Sequence, residues 1–74
     1  MTLEQAKALR YGDWVHHRTA RNADGTPCRY RVNGEPKTWK RSPERVRVPV
    51  KRGMREYGYI DEVNVPDFEP GYGS

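Results

Sequence analysis

The one Cys/His combination that could supply a nucleophile with its base, or soft metal ligands, is Cys28 with His16 or His17. Covalent or acid–base catalysis needs a nucleophile beside a base that a third group holds in place. Neighbouring residues of a strand point to opposite faces, so the rings of His16 and His17 cannot converge on one ion. A structural zinc site takes about four Cys or His ligands, more than this chain offers. Cys28 alternates with apolar residues, and on a core face a free cysteine acts as a small hydrophobe. The glycines are scattered among turns and build no phosphate-binding loop. The carboxylates crowd the C-terminal portion with no apolar pocket to raise a pKa. No enzyme, cofactor or metal is expected.

The plentiful chemistry is cationic. A net charge of +4 hides an asymmetry: residues 18–55 carry twelve Lys/Arg against Asp24, Glu35 and Glu44, a net of +9. Residues 56–74 carry Glu56, Asp61, Glu62, Asp67 and Glu69 with no base, a net of −5, and residues 1–17 balance. A basic body with an acidic end predicts contact with a polyanion, DNA or RNA, through phosphate. The predicted contacting face is Arg29, Arg31, Lys40, Arg45 and Arg47, flanked by Arg18, Arg21, Lys51 and Arg52. Aromatic rings among such cations stack on unpaired bases. Trp14 and one of Tyr57 and Tyr59 are the candidates, because the register below sends Tyr30 and Trp39 inward.

That register comes from two turns. Asn33-Gly34 is the strongest hairpin signal in the chain, since both central residues of a type I′ turn need positive φ. A two-residue loop there makes Val32 face Glu35, Tyr30 face Lys37 and Cys28 face Trp39. Alternation then sets Cys28, Tyr30, Val32 and Trp39 on one side, with Arg29, Arg31, Thr38 and Lys40 on the other. A four-residue loop over Arg41–Glu44 places Lys40 opposite Arg45, Trp39 opposite Val46 and Lys37 opposite Val48. Val46, Val48 and Val50 join the apolar side, and Arg45 and Arg47 the basic one. Like charges side by side destabilise a sheet, and a polyanionic partner would account for their retention.

The remaining elements follow in order. Thr2 and Gln5 have capping-box spacing, predicting a short helix to about Leu9 that covers one open end of a barrel. Gly12-Asp13 turns the chain into a strand, Trp14–Arg18, with Val15 inward. Thr19 to Pro27 is expected as a nine-residue loop turned by Asp24-Gly25, a candidate recognition loop. Pro49 cannot donate to a ladder and predicts an edge or a bulge. Lys51–Arg55 is a basic turn at Gly53, and Tyr57–Ile60 the last strand with Ile60 inward. Asp61–Val65 fits either a helical turn or a short strand. Residues 66–74, rich in Pro, Gly and acid, predict a flexible acidic tail, its Phe68 free to dock on the barrel and its acids to cross the basic face. Residues 1–65 then form the one domain.

Leu9-Arg-Tyr-Gly12-Asp13-Trp14-Val15 resembles the Leu-x-x-Gly-Asp-x-Val opening of small SH3-like barrels of the KOW and Tudor types. The stretch Lys37–Gly53 is similar to small uncharacterised proteins encoded by phages and mobile elements, a likeness that implies no activity. The fold expected is mainly β: an SH3-like barrel of about five antiparallel strands with a short N-terminal helix. No run of 18 apolar residues is present, and the first 15 residues contain no signal-peptide core. The lone cysteine fits a reducing cytosol. The function expected is a small non-enzymatic nucleic-acid-binding module. The alternative is an adaptor barrel that takes an acidic or proline-containing peptide, and a third reading packs the basic face within a homo-oligomer.

Overall fold

The computed structural model describes residues 1–73, the side chains of Glu56 and Tyr57 apart. Thr2 caps α1 (Leu3–Lys7): its hydroxyl accepts from the Gln5 amide at 3.1 Å, and the Gln5 side chain accepts from the Thr2 amide at 2.8 Å. Ala6 and Leu9 are buried under this short helix, and Lys7 Nζ reaches the Pro43 carbonyl on the neighbouring strand. Gly12 then reverses the chain at φ +91°, a conformation that costs a Cβ-bearing residue strain. The Asp13 carboxylate accepts from the Arg10 amide, and the Gly12 and Val32 amides tie the turn to its neighbour strand.

Six strands follow: β1 (Trp14–Arg21), β2 (Pro27–Val32), β3 (Lys37–Trp39), β4 (Ser42–Arg52), β5 (Arg55–Asp61) and β6 (Phe68–Pro70), with a 3-10 turn over Val65–Asp67. All pairings are antiparallel: β1 with β2 and β6, β4 with β2, β3 and β5. The sheet curls into a half-barrel of the small SH3-like kind. Period-2 alternation places Val15, Cys28, Tyr30, Val32, Val46, Val48, Val50 and Ile60 inside. Each buried Val or Ile contributes about 1.5–3 kcal/mol relative to exposure. Among the described residues no helix is long and apolar enough to cross a membrane.

Four expectations are corrected. First, Asn33-Gly34 does not reverse the chain. Arg47 pairs with both Lys37 and Asp61, while Val50 pairs with both Val32 and Gly58. Hence β2 and β3 lie on the same edge of β4, opposite β5, and run in one direction. The Asn33 amide donates to the Pro49 carbonyl at 2.8 Å. Pro49 has no N–H to return, so the ladder breaks there and the chain steps past it. Neither Asn33 nor Gly34 takes positive φ.

Second, the β3–β4 hairpin exists but its register is shifted by one. Trp39 pairs with Ser42 across a two-residue Lys40-Arg41 turn, while Thr38 pairs with Val46 and Lys37 with Arg47. The irregularity between these pairs absorbs Pro43, Glu44 and Arg45. Trp39 therefore stands on the arginine side and Thr38 on the valine side. Third, β1 runs on to Arg21 and β2 begins at Pro27, so the expected nine-residue loop shrinks to Asn22–Thr26. Fourth, the expected tail over 66–74 contributes structure. Phe68 is 6% exposed, packs on Tyr30 with ring centres 5.4 Å apart, and pairs with His17 across β1–β6. The sequence-based boundary at residue 65 thus falls inside the sheet. Between these strands, residues 62–64 turn and Val65 is buried, which settles the Asp61–Val65 segment as a turn.

Candidate nucleic-acid interface

The outward positions of β2 and β4 alternate with the core valines, and they hold Arg29, Arg31, Arg45, Arg47 and Lys51. Cross-strand pairing makes these a connected row: Lys37 faces Arg47, Arg31 faces Lys51, Trp14 faces Arg31 and His16 faces Arg29. Tyr59 faces Pro49, in the middle of the row. The side chain of Tyr57, the alternative stacking candidate, lies outside the described residues. The row has two ends, each built around rings.

At one end, Arg45, Lys37 and Arg47 surround Trp39, their cationic centres 4.2, 5.4 and 6.0 Å from its ring centre. Arg47 also lies 5.3 Å from the ring of Tyr59. Acid enters here through Glu62, 3.6 Å from Arg45 Nε, and through Asp61, opposite Arg47. The Asp61 carboxylate is engaged by the Val63 and Asn64 amides. The side chains of Arg47 and Lys51 have no hydrogen bond or ion pair among the described residues.

At the other end, Arg31 lies 5.4 Å from the Trp14 ring centre and donates from Nε to the Gly12 carbonyl at 3.2 Å. Tyr72 stands edge-on to Trp14 with ring centres 5.1 Å apart. Arg29 covers the Tyr72 ring at 3.9 Å and donates to its carbonyl at 2.6 Å. Leu9, Gly12, Asp13, Trp14, Pro70, Gly71 and Tyr72 line a groove of about 350 Å³ beside this cluster. The His16 ring pairs through Nδ1 with the Gly71 carbonyl at 3.1 Å, while His17 Nδ1 accepts from the Thr19 and Ala20 amides. The two histidines thus serve separate segments.

The other predicted cations distribute differently. Lys40 sits in the β3–β4 turn next to Trp39, exposed, rather than within the strand. Arg18 lies against Glu69 and the Pro66 carbonyl, and Arg21 donates to carbonyls of its own strand. Arg52 donates to the Asn22 side chain at 2.6 Å. Arg18 thus ties β1 to the C-terminal segment, Arg21 stays on its own strand and Arg52 ties the end of β4 to the β1–β2 loop, so none of the three extends the row. In the Asn22–Thr26 loop, the Thr26 hydroxyl and then its amide donate to Asp24, holding that carboxyl below the usual aspartate value.

Trp39, Lys37 and Tyr72 are the site residues that sequence reasoning does not assign. A Lys40-Arg41 turn alone would leave Lys37 opposite Glu44; the irregularity over Pro43, Glu44 and Arg45 is what brings Lys37 opposite Arg47, and no turn rule reads it from the sequence. Compared with protein-family models, curated proteins and solved structures, the chain matches none.

Proposed function

We propose that this protein is a small, non-enzymatic nucleic-acid-binding module. The observation that carries the reading is the outward row Arg29, Arg31, Arg45, Arg47 and Lys51 on paired strands, with aromatic rings at both ends. Cations placed so close repel one another, and a phosphate backbone neutralises them together with release of its counterions. The row would hold DNA or RNA phosphates, which fixes position and carries little sequence information. A reducing cytosol suits the buried thiol of Cys28. Origin in a phage or mobile element belongs to the same reading, on the likeness of residues 37–53.

Fluorescence anisotropy with labelled oligonucleotides at several salt concentrations tests it. Substituting Arg29, Arg31 and Arg47 together by Gln is expected to lower the slope of log K against log salt by about 2–3, at about 0.7–0.9 for each phosphate no longer neutralised. An unchanged slope and affinity would remove the row from the interface. The groove beside Trp14 favours a second reading, an adaptor that takes an acidic or proline-containing peptide. Peptide binding without any oligonucleotide binding at low salt selects that reading.

A further inference from the structure

The two ends of the basic row differ in what already covers their rings. Around Trp14, the chain itself is the occupant: Tyr72 stands over the indole, and Arg29 is held by both the ring and the carbonyl of Tyr72. Around Trp39, the neighbours are the guanidinium and ammonium groups of long, flexible side chains. Arg47 lies between two rings, 6.0 Å from the centre of Trp39 and 5.3 Å from that of Tyr59. Tyr59 is 60% exposed and borders a hollow of about 90 Å³ lined also by Asn33, Pro49, Val50 and Gly58. The side-chain amide of Asn33 has no hydrogen-bond partner among the described residues.

Resting on the nucleic-acid reading, we infer that Trp39 and Tyr59 form a stacking site for unpaired bases, so that the ligand is single-stranded. A guanidinium is planar and delocalised, and it stacks on aromatic faces as a base does. A base that displaces Arg47 from between the rings takes over that stacking. The displaced guanidinium, with Arg45 and Lys37 beside it, then meets the phosphates that flank the same base. Duplex bases have their faces covered by their neighbours and offer only edges in the grooves. Rings on the outer side of a sheet therefore gain from single strands and little from a duplex. The Asn33 amide, both donor and acceptor, lies in the adjoining hollow where the edge of a base on Tyr59 would enter.

The test titrates labelled twelve-nucleotide oligothymidylate, oligouridylate and a 12-base-pair duplex with the unsubstituted chain and its variants, read by fluorescence anisotropy. A Trp14→Phe variant, which leaves Trp39 as its tryptophan, serves only to follow Trp39 emission. Single strands are expected to bind at least about tenfold more tightly than the duplex and to quench Trp39 emission. Tyr59→Ala, at an exposed position, is expected to weaken single-strand binding roughly 5- to 150-fold with the salt slope unchanged. Trp39→Ala does the same, and Trp39→Phe restores most of the loss. A preference for one of the two single strands assigns DNA or RNA, and either supports the site. Equal binding of the duplex overturns the inference. So does single-strand affinity unmoved by Tyr59→Ala and Trp39→Ala while arginine substitutions still weaken it, a result that leaves the phosphate contacts standing. Failure of every oligonucleotide to bind at low salt overturns both.

Discussion

Replacing Phe68 by Ala separates a C-terminal tail from a C-terminal strand. Phe68 is 6% exposed, packs on Tyr30 and presents an edge contact to His17 with ring centres 5.1 Å apart. Truncating a buried Phe costs about 3–5 kcal/mol, from forfeited transfer energy and the cavity left behind. A chain of 74 residues has a total stability of roughly 4–11 kcal/mol, at about 0.05–0.15 kcal/mol per residue. One side chain near the C-terminus would then hold about a quarter of that stability or more. Urea unfolding followed by tryptophan emission reads the loss. With a denaturant slope of about 1–3 kcal/mol per molar, the midpoint should fall by at least about 1 M. Tyr72→Ala is the matching control, an exposed ring whose edge contact with Trp14 is worth about 0.5–1.5 kcal/mol. A midpoint for Phe68→Ala within the scatter of the wild type would refute the place of β6 in the core.

Two further outcomes are expected. The Asp24 carboxyl, held down by Thr26, should titrate below the ordinary aspartate value in a carbon-detected NMR series, and Thr26→Ala should return it toward that value. Its folded-state value lies under the unfolded one, so the contribution is complete above the unfolded value and fades as pH falls through the folded one. Gly12→Ala meets no close atom, the nearest being Arg31 Nη2 at 3.8 Å, so its cost is backbone strain alone, about 1–2 kcal/mol by thermal or chemical unfolding.

The inward pattern is legible in the sequence because burial on one side of a strand is a local, period-2 property. Val46, Val48 and Val50 alternate with Arg45, Arg47 and Lys51 whatever strand lies beside them, and Ile60 and the Thr2–Gln5 capping box are readable for the same reason. Partner choice is not. Asn33-Gly34 carries the strongest turn signal, yet its backbone is claimed by Pro49, sixteen positions on, and a local rule has no access to that competitor. Trp39 falls on the side opposite to its expected one because the Lys40-Arg41 turn and the irregularity over Pro43, Glu44 and Arg45 together shift the β3–β4 register by one residue, and such a shift inverts every side chain of a strand. Composition hides the C-terminal strand: Pro66, Pro70 and Gly71 read as irregular chain, while Phe68 between them is the residue with apolar area worth burying. Of the predicted basic face, Arg29, Arg31, Arg45, Arg47 and Lys51 share the outward side of the sheet. Arg18, Arg21 and Arg52 are taken up by neighbours that no spacing rule could indicate.

The place of Pro49 has a consequence for misalignment. One edge of β4 serves two successive strands, and a strand that shares an edge can slide along it by two residues while keeping its side chains on the same side. Pro49 stands at the point where β2 gives way to β3, and it has no amide hydrogen to offer to either. A slide of β2 toward the start of β4, or of β3 toward its end, would bring a carbonyl against a ring that cannot donate. The proline thus acts as a stop between two neighbours, and slippage that hydrophobic patterning alone would permit is blocked by the missing bond.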